Sequence, residues 1–97
     1  MDWYTSMLNF VRTVDTGSLA NAARELDVVP SAISKSLTRL EQSAGVQLLE
    51  RSTRTLVPTK AGWAFYLAAK QAVGMTQAAF DTIKPMENDG REAESAP

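Results

Sequence analysis

The chain has 97 residues, 44% of them hydrophobic, and a formal net charge of −1 at pH 7. That length holds one small domain, and a near-neutral balance argues against a nonspecific polyanion binder, which is normally basic overall. Cysteine and histidine are both lacking, so disulfides, thiolate or imidazole catalysis and the usual zinc sites are excluded, and no cofactor or metal is expected.

The charge is unevenly spread. Residues 35–60 carry Lys35, Arg39, Arg51, Arg54 and Lys60 against Glu41 and Glu50. Residues 81–97 carry Asp81, Glu87, Asp89, Glu92 and Glu94 against Lys84 and Arg91. A basic middle and an acidic end nearly cancel. The first residues contain no basic segment followed by an apolar run, so no signal peptide is expected. No stretch is long and apolar enough to span a bilayer, and the expected location is cytoplasmic.

In chain order, Trp3, Met7, Leu8, Val11 and Val14 recur at helical spacing, which predicts a first helix from about Asp2 to Thr16. Gly17 is the expected C-terminal cap, and Ser18 the N-cap of the next helix. Leu19, Ala22, Ala23 and Leu26 form one face of that second helix. A third helix repeats apolar residues at Ile33, Leu37 and Leu40 and ends at Gly45. Only Asp27-Val28-Val29-Pro30 separates the two, and the small Ala22 and Ala23 permit close approach. Pro30 suits the first helical position. Val29 before it offers no side-chain acceptor.

The opposite face of the third helix carries Ser31, Ser34, Lys35, Thr38 and Gln42, with Arg39 on its flank. Short hydroxyls beside cations suit a nucleic-acid groove, the hydroxyls for base edges and phosphates and the cations for the backbone. A solvated helix face is the plainer alternative, and the rest of the chain has to decide between them.

Val46–Arg51 and Thr55–Val57 read as two short strands around a polar turn, Ser52-Thr53-Arg54. A hairpin directly after a helix-turn-helix is a wing. Arg54 at its tip is long enough to enter a minor groove. For Arg54 the alternative is an ordinary exposed arginine. For Arg51 it is pairing with a nearby carboxylate.

Thr59 is a good N-cap for a last helix that runs proline-free from Lys60 to Lys84 and is expected to stop at Pro85. Trp63, Tyr66 and Leu67 are expected to face the core. Phe65, Ala69, Ala72, Thr76, Ala79 and Ile83 form a second stripe. So small a body cannot bury both stripes, so the second needs a partner, most simply the same helix of another copy. Residues 86–97 are polar, acidic and aperiodic, and are expected to be disordered.

These residues, taken together, resemble the N-terminal DNA-binding region of LysR-type transcriptional regulators. The resemblance runs from about Met7 to Gly62. It rests on Phe10-Val11, Gly17-Ser18-Leu19, Ala22-Ala23-Arg24-Glu25-Leu26, Ser31-Ala32-Ile33-Ser34, Leu40-Glu41, Gly45 through Arg51, and Pro58-Thr59-Lys60-Ala61-Gly62. Each is weak alone, but in this order and spacing they are specific. One departure is Val29, where the family usually has a capping serine.

The resemblance implies a mainly α fold. Residues 1–58 would form a winged helix-turn-helix of three helices and a two-stranded wing, and 59–85 a linker helix that pairs antiparallel in a homodimer. A large effector-binding domain normally follows, and a small-molecule effector would act only through it. The resemblance further implies that Pro30, Ser31, Ser34, Lys35 and Thr38 lie in or beside the major groove of double-stranded DNA. Arg39 would hold a phosphate, and Ser52, Thr53 and Arg54 would sit at the minor groove or its backbone.

The leading reading is therefore a sequence-specific DNA-binding module of a dimeric regulator. The competing one is a winged-helix interaction module that only assembles subunits. An enzyme is a poor reading, because Glu41 and Glu50 look like surface and ion-pair residues rather than an acid/base couple.

Overall fold

A computed structural model describes residues 2–52 and 56–95, with side chains as far as Pro85. Its elements are α1 (Trp3–Thr16), α2 (Leu19–Leu26), α3 (Pro30–Ala44), β1 (Leu49–Arg51), β2 (Leu56–Pro58) and α4 (Lys60–Ser95). The fold class is the expected one: three helices, a two-stranded antiparallel wing and a long helix.

Local chemistry sets the helix ends. The Asp2 carboxylate accepts from the Thr5 N–H at 3.1 Å and caps α1. Gly17 closes that helix in the left-handed conformation, at φ 70°, which a residue without a Cβ adopts freely. Ser18 then accepts from the Asn21 N–H at 3.2 Å and opens α2. Asp27, at φ 57°, turns the chain into the short link to α3. That helix starts at Pro30 with no side-chain cap from Val29, as the sequence predicts.

Phe10, Ala23, Ile33, Leu37 and Leu40 from the three helices meet Leu48 and Leu49 in one core. The faces read for α2 and α3 contribute to it, whereas α1 does so chiefly through Phe10, beside the predicted stripe, and Trp3 of that stripe is 53% exposed. Asn9 donates to the Ser36 hydroxyl at 2.9 Å and ties α1 to the side of α3.

Strand β1 is shorter than expected, starting at Leu49 rather than Val46. The backbone before it is committed elsewhere, because the Leu48 N–H donates to Glu41 and the Leu48 carbonyl accepts from Thr59 at 2.9 Å. The register pairs Leu49 with Pro58, Glu50 with Val57 and Arg51 with Leu56. Thr55, expected in the second strand, lies outside the described residues.

Helix α4 departs from the sequence reading in its phase. Its first turn is fixed by Thr59, whose hydroxyl accepts from the Gly62 N–H at 3.0 Å and donates to the Gln47 carbonyl at 2.7 Å. Gly62 thereby lies on the backbone just before β1, so close that a Cβ there would fall 1.9 Å from the Leu48 carbonyl oxygen. With position 62 facing inward, the residues one, two and three turns later face inward too. Phe65 packs edge-on against Phe10 with ring centroids 5.2 Å apart, and Ala69 is 1% exposed.

Phe65, partly buried, and Ala69, fully buried, were expected between two copies and instead pack on this chain's own body. Trp63 and Leu67, expected on the core, are 49% and 64% exposed. Tyr66 does pack on the core. Its hydroxyl donates to Asp15, Lys70 donates to Tyr66 at 2.9 Å, and Arg12 joins Asp15 to Glu25 of α2. The Tyr66 oxygen, and then the Asp15 charge, push the Lys70 ammonium above its ordinary pKa.

The helix also does not stop at Pro85. It continues through that residue to Ser95, so most of the stretch expected to be disordered is helical. A proline inside a helix removes one backbone hydrogen bond and costs about 3 kcal/mol. The carbonyl left without its partner is that of Asp81, one turn back, which is exposed and open to water. Methionine, glutamate, arginine and alanine beyond it are good helix formers.

Gly62→Ala should therefore destabilise the protein by about 1–3 kcal/mol or more, since backbone rather than a flexible side chain must move. Urea unfolding of the two proteins measures this. Equal midpoints would show that α4 does not depend on that close approach.

Candidate nucleic-acid interface

Burying Ile33, Leu37 and Leu40 turns the opposite face of α3 outward. Pro30, Ser31, Lys35, Thr38, Arg39 and Gln42 are exposed there, and Ser34 is half-buried on the side toward the wing. The sequence-predicted recognition residues therefore share one continuous surface. The Thr38 hydroxyl donates to the Ser34 carbonyl at 3.0 Å, a bond within the helix.

The wing is fixed to this surface through Glu41. One carboxylate oxygen accepts from the Leu48 N–H at 2.7 Å and the Leu49 N–H at 3.1 Å. The other meets Arg51 Nη2 at 3.4 Å. Arg51 Nη1 in turn donates to the Ser34 hydroxyl at 3.3 Å. A chain of polar contacts thus runs from the α3–β1 junction, through the wing's first strand, back to the middle of α3. The expectation that Arg51 pairs with a local carboxylate holds.

Glu41 is more than the surface ion-pair residue the sequence suggested. Its side chain is 19% exposed, and two backbone donors fill one of its oxygens. A signal for this was available. Glu41 lies seven residues after Ser34, two helical turns along the same strip of α3. A wing of three-residue strands leaves the N–H groups at its entrance in need of an acceptor.

Ser52 follows Arg51 at the exposed edge of the wing. Thr53 and Arg54, the other expected wing contacts, lie outside the described residues. Of the expected pairing stripe on α4, Ala72 and Thr76 are half-buried beside the winged body, and Ala79 and Ile83 are exposed beyond it. Among the described residues, no three Asp or Glu side chains converge as a metal site would need, and no helix is long and apolar enough to cross a membrane.

A helix pair at one edge of a three-helix core, with an outward polar and cationic face and an adjoining wing, defines a winged helix-turn-helix protein. Residues 5–63 match the family model for bacterial regulatory helix-turn-helix proteins of the lysR family. The chain belongs to the LysR family.

Among its relatives is a probable HTH-type transcriptional regulator, SinR of Salmonella typhimurium. It is 40% identical over 83 residues, covering 86% of this chain and 25% of the relative. The chain spans about a quarter of the length of the curated relatives it matches. Solved structures share the fold. The BenM DBD complexed with catB site 1 DNA superposes with a TM-score of 0.80 at 28% identity, over 90% of this chain and 96% of that one. The CbnR DBD–DNA complex gives 0.77 at 30% identity, over 90% and 99%.

Proposed function

We propose that this chain is the sequence-specific, double-stranded DNA-binding domain of a dimeric LysR-type transcriptional regulator acting in the cytoplasm. The observation that carries the reading is the outward face of α3, where hydroxyls and cations share one exposed surface above a packed core. In this reading α3 enters the major groove, with Pro30, Ser31, Ser34, Lys35 and Thr38 in or beside it. Hydroxyls and an ammonium there can meet base edges, and Arg39 on the flank can hold a phosphate. The wing, with Ser52, Thr53 and Arg54, lies at the minor groove, whose negative potential attracts a guanidinium. Likeness to the BenM and CbnR domains, both solved with DNA, supports the assignment. In this reading the chain binds and does not catalyse.

The dimeric part of the reading uses the free end of α4. At 1.5 Å per residue, its 36 residues extend about 54 Å, well past the winged body. Ala72, Thr76, Ala79 and Ile83 continue the stripe of α4 that Phe65 begins against α1. Phe80 and Ile83 are 58% and 53% exposed on that continuation, and a monomer leaves their apolar area in water. A second copy of the same helix covers it most simply, with the alanines permitting close approach. Each dimer then carries two α3 helices for two half-sites.

Binding to duplexes selected from a random pool, followed against salt, tests the DNA reading. Arg39→Ala should weaken binding to all sequences alike and flatten the salt slope by about one ion. Lys35→Ala should cost about 1–3 kcal/mol on the selected duplex and less on random sequence. Equal losses for the two variants on both kinds of DNA would remove the division between base and phosphate contacts. No enrichment of any duplex would remove the DNA reading itself, leaving the interaction module.

Ile83→Glu tests the dimer. A carboxylate forced into a helix–helix contact is desolvated without a partner, so the pair should dissociate while the winged body keeps its fold. DNA affinity should fall by about 10²–10⁴-fold as two linked contacts become independent. Sedimentation with and without the selected duplex reads both effects. A variant that still pairs and binds as before would take α4 out of the interface.

A further inference from the structure

Asp15, in the last turn of α1, ties that helix to α4. One carboxylate oxygen accepts from the Tyr66 hydroxyl and faces Lys70 Nζ at 3.5 Å, both on α4. The other meets Arg12 Nη1 at 3.0 Å, and Arg12 Nη2 lies 2.6 Å from Glu25 of α2. A polar chain thus runs from α4 through α1 to α2, whose Ala23 shares the core with α3. A lone exposed ion pair does little, but several partners on one carboxylate form a network.

The apolar contacts of α4 are gathered in its first turns. Gly62 abuts Leu48, Phe65 packs on Phe10, and Ala69 is buried. Apolar contact is non-directional, so packing gathered at one end of a long helix leaves its angle soft. Beside the Asp15 cluster an open groove separates α1 from α4, lined by Tyr4, Leu8, Val73, Gly74 and Gln77. Among the described residues, a Cβ on Gly74 would meet no atom of another element within 4 Å. Past Lys70, therefore, α4 has room to swing toward α1.

The geometry points to Asp15 as a positioning residue that sets the angle at which α4 leaves the winged body, and with it the half-site spacing that the dimer prefers. The inference rests on the reading of the chain as a DNA-binding dimer paired through α4, and deepens it. From Lys70 to Ile83 the helix runs about 20 Å. A swing of about 10° at Lys70 then moves Ile83 by about 3.5 Å, close to the rise of one base pair. The two protomers double that shift. With α4 held, the two α3 helices keep one separation. With α4 freed, they reach several.

An aspartate suits this role. Its two oxygens only accept when ionised, and here they face donors of different helices. Its short side chain leaves little slack between α1 and α4.

The test uses the whole 97-residue chain. Duplexes carry two inverted copies of the selected half-site, with the gap between them varied one base pair at a time through one helical turn. Asp15→Ala removes every contact of the carboxylate at once. Tyr66→Phe removes one of them and keeps the ring that packs on the core. The wild type should prefer one gap over its neighbours by about tenfold or more, a part of the advantage of linked contacts. Asp15→Ala should flatten that preference to about threefold or less, with Tyr66→Phe between the two. A general change in affinity from the lost charge cancels, because the preference is a ratio within one variant. A protein merely destabilised would weaken at every gap alike.

Three results overturn the inference. One is a wild type that gains from a second half-site equally at every gap. Another is an Asp15→Ala protein with the wild-type profile, or weakened equally at all gaps. Should Asp15→Ala fail to fold, a Tyr66→Phe profile equal to the wild type is the third. A wild type that gains nothing from a second half-site at any gap would instead remove the dimer reading on which the inference rests.

Discussion

The carboxylate of Glu41 is the contact on which the shape of this molecule turns. One oxygen takes the N–H groups of Leu48 and Leu49, and the other faces Arg51. Leu48 and Leu49 are 2% and 1% exposed, so their backbone donors sit where water cannot serve them. A buried donor without a partner costs about 1–3 kcal/mol. Hydrogen bonds to a charged acceptor are roughly twice as strong as neutral ones. The point where the chain leaves α3 and becomes β1 is therefore fixed by a side chain of α3 itself. On its other side, the Leu48 carbonyl accepts from Thr59 and abuts Gly62. The phase of α4 follows from that contact. Through Leu48, one acidic residue relates the recognition helix, the wing and the long helix.

This arrangement answers a problem of size. Two strands of three residues make a marginal sheet in water and need support from elsewhere. The two leucines supply it by entering the helical core, and Glu41 supplies it by holding their backbone. Arg51 then extends the hold from the wing to Ser34. The outward face of α3 and the wing are thereby joined into one surface, as the proposed reading of two adjacent grooves needs. Binding groups preset in this way lose less freedom when a partner arrives.

Much of this was legible in the sequence. The helical faces of α2 and α3, the caps at Gly17, Ser18 and Gly45, and the wing follow from spacing and turn chemistry. So does the uncapped start at Val29. The outward position of Ser31, Lys35, Thr38, Arg39 and Gln42 follows as well, since burying one face of a helix exposes the other. The phase of α4 was not legible. Two apolar stripes compete for the same body, and the deciding contact is a glycine against a backbone carbonyl, which leaves no hydrophobic signal. The role of Glu41 was signalled only by its place two turns after Ser34 on the same strip of α3. A carboxylate on a helix reads as solvated until the chain that folds back onto it is known. Pro85 misled for a different reason: it is a strong breaker by propensity, but one lost bond on an exposed helix is tolerable.

Hydrogen exchange at the Leu48 and Leu49 amides, in the wild type and in Glu41→Ala, tests the role given to Glu41 most directly. Both amides should exchange in the wild type as slowly as those of Leu37 and Leu40, because they open only when the core opens. In Glu41→Ala they should exchange far faster, while the amides of α2 keep their protection. Fast exchange at these two amides in the wild type, or unchanged protection in the variant, would contradict the account, because the wing would then be held to α3 by something other than this carboxylate.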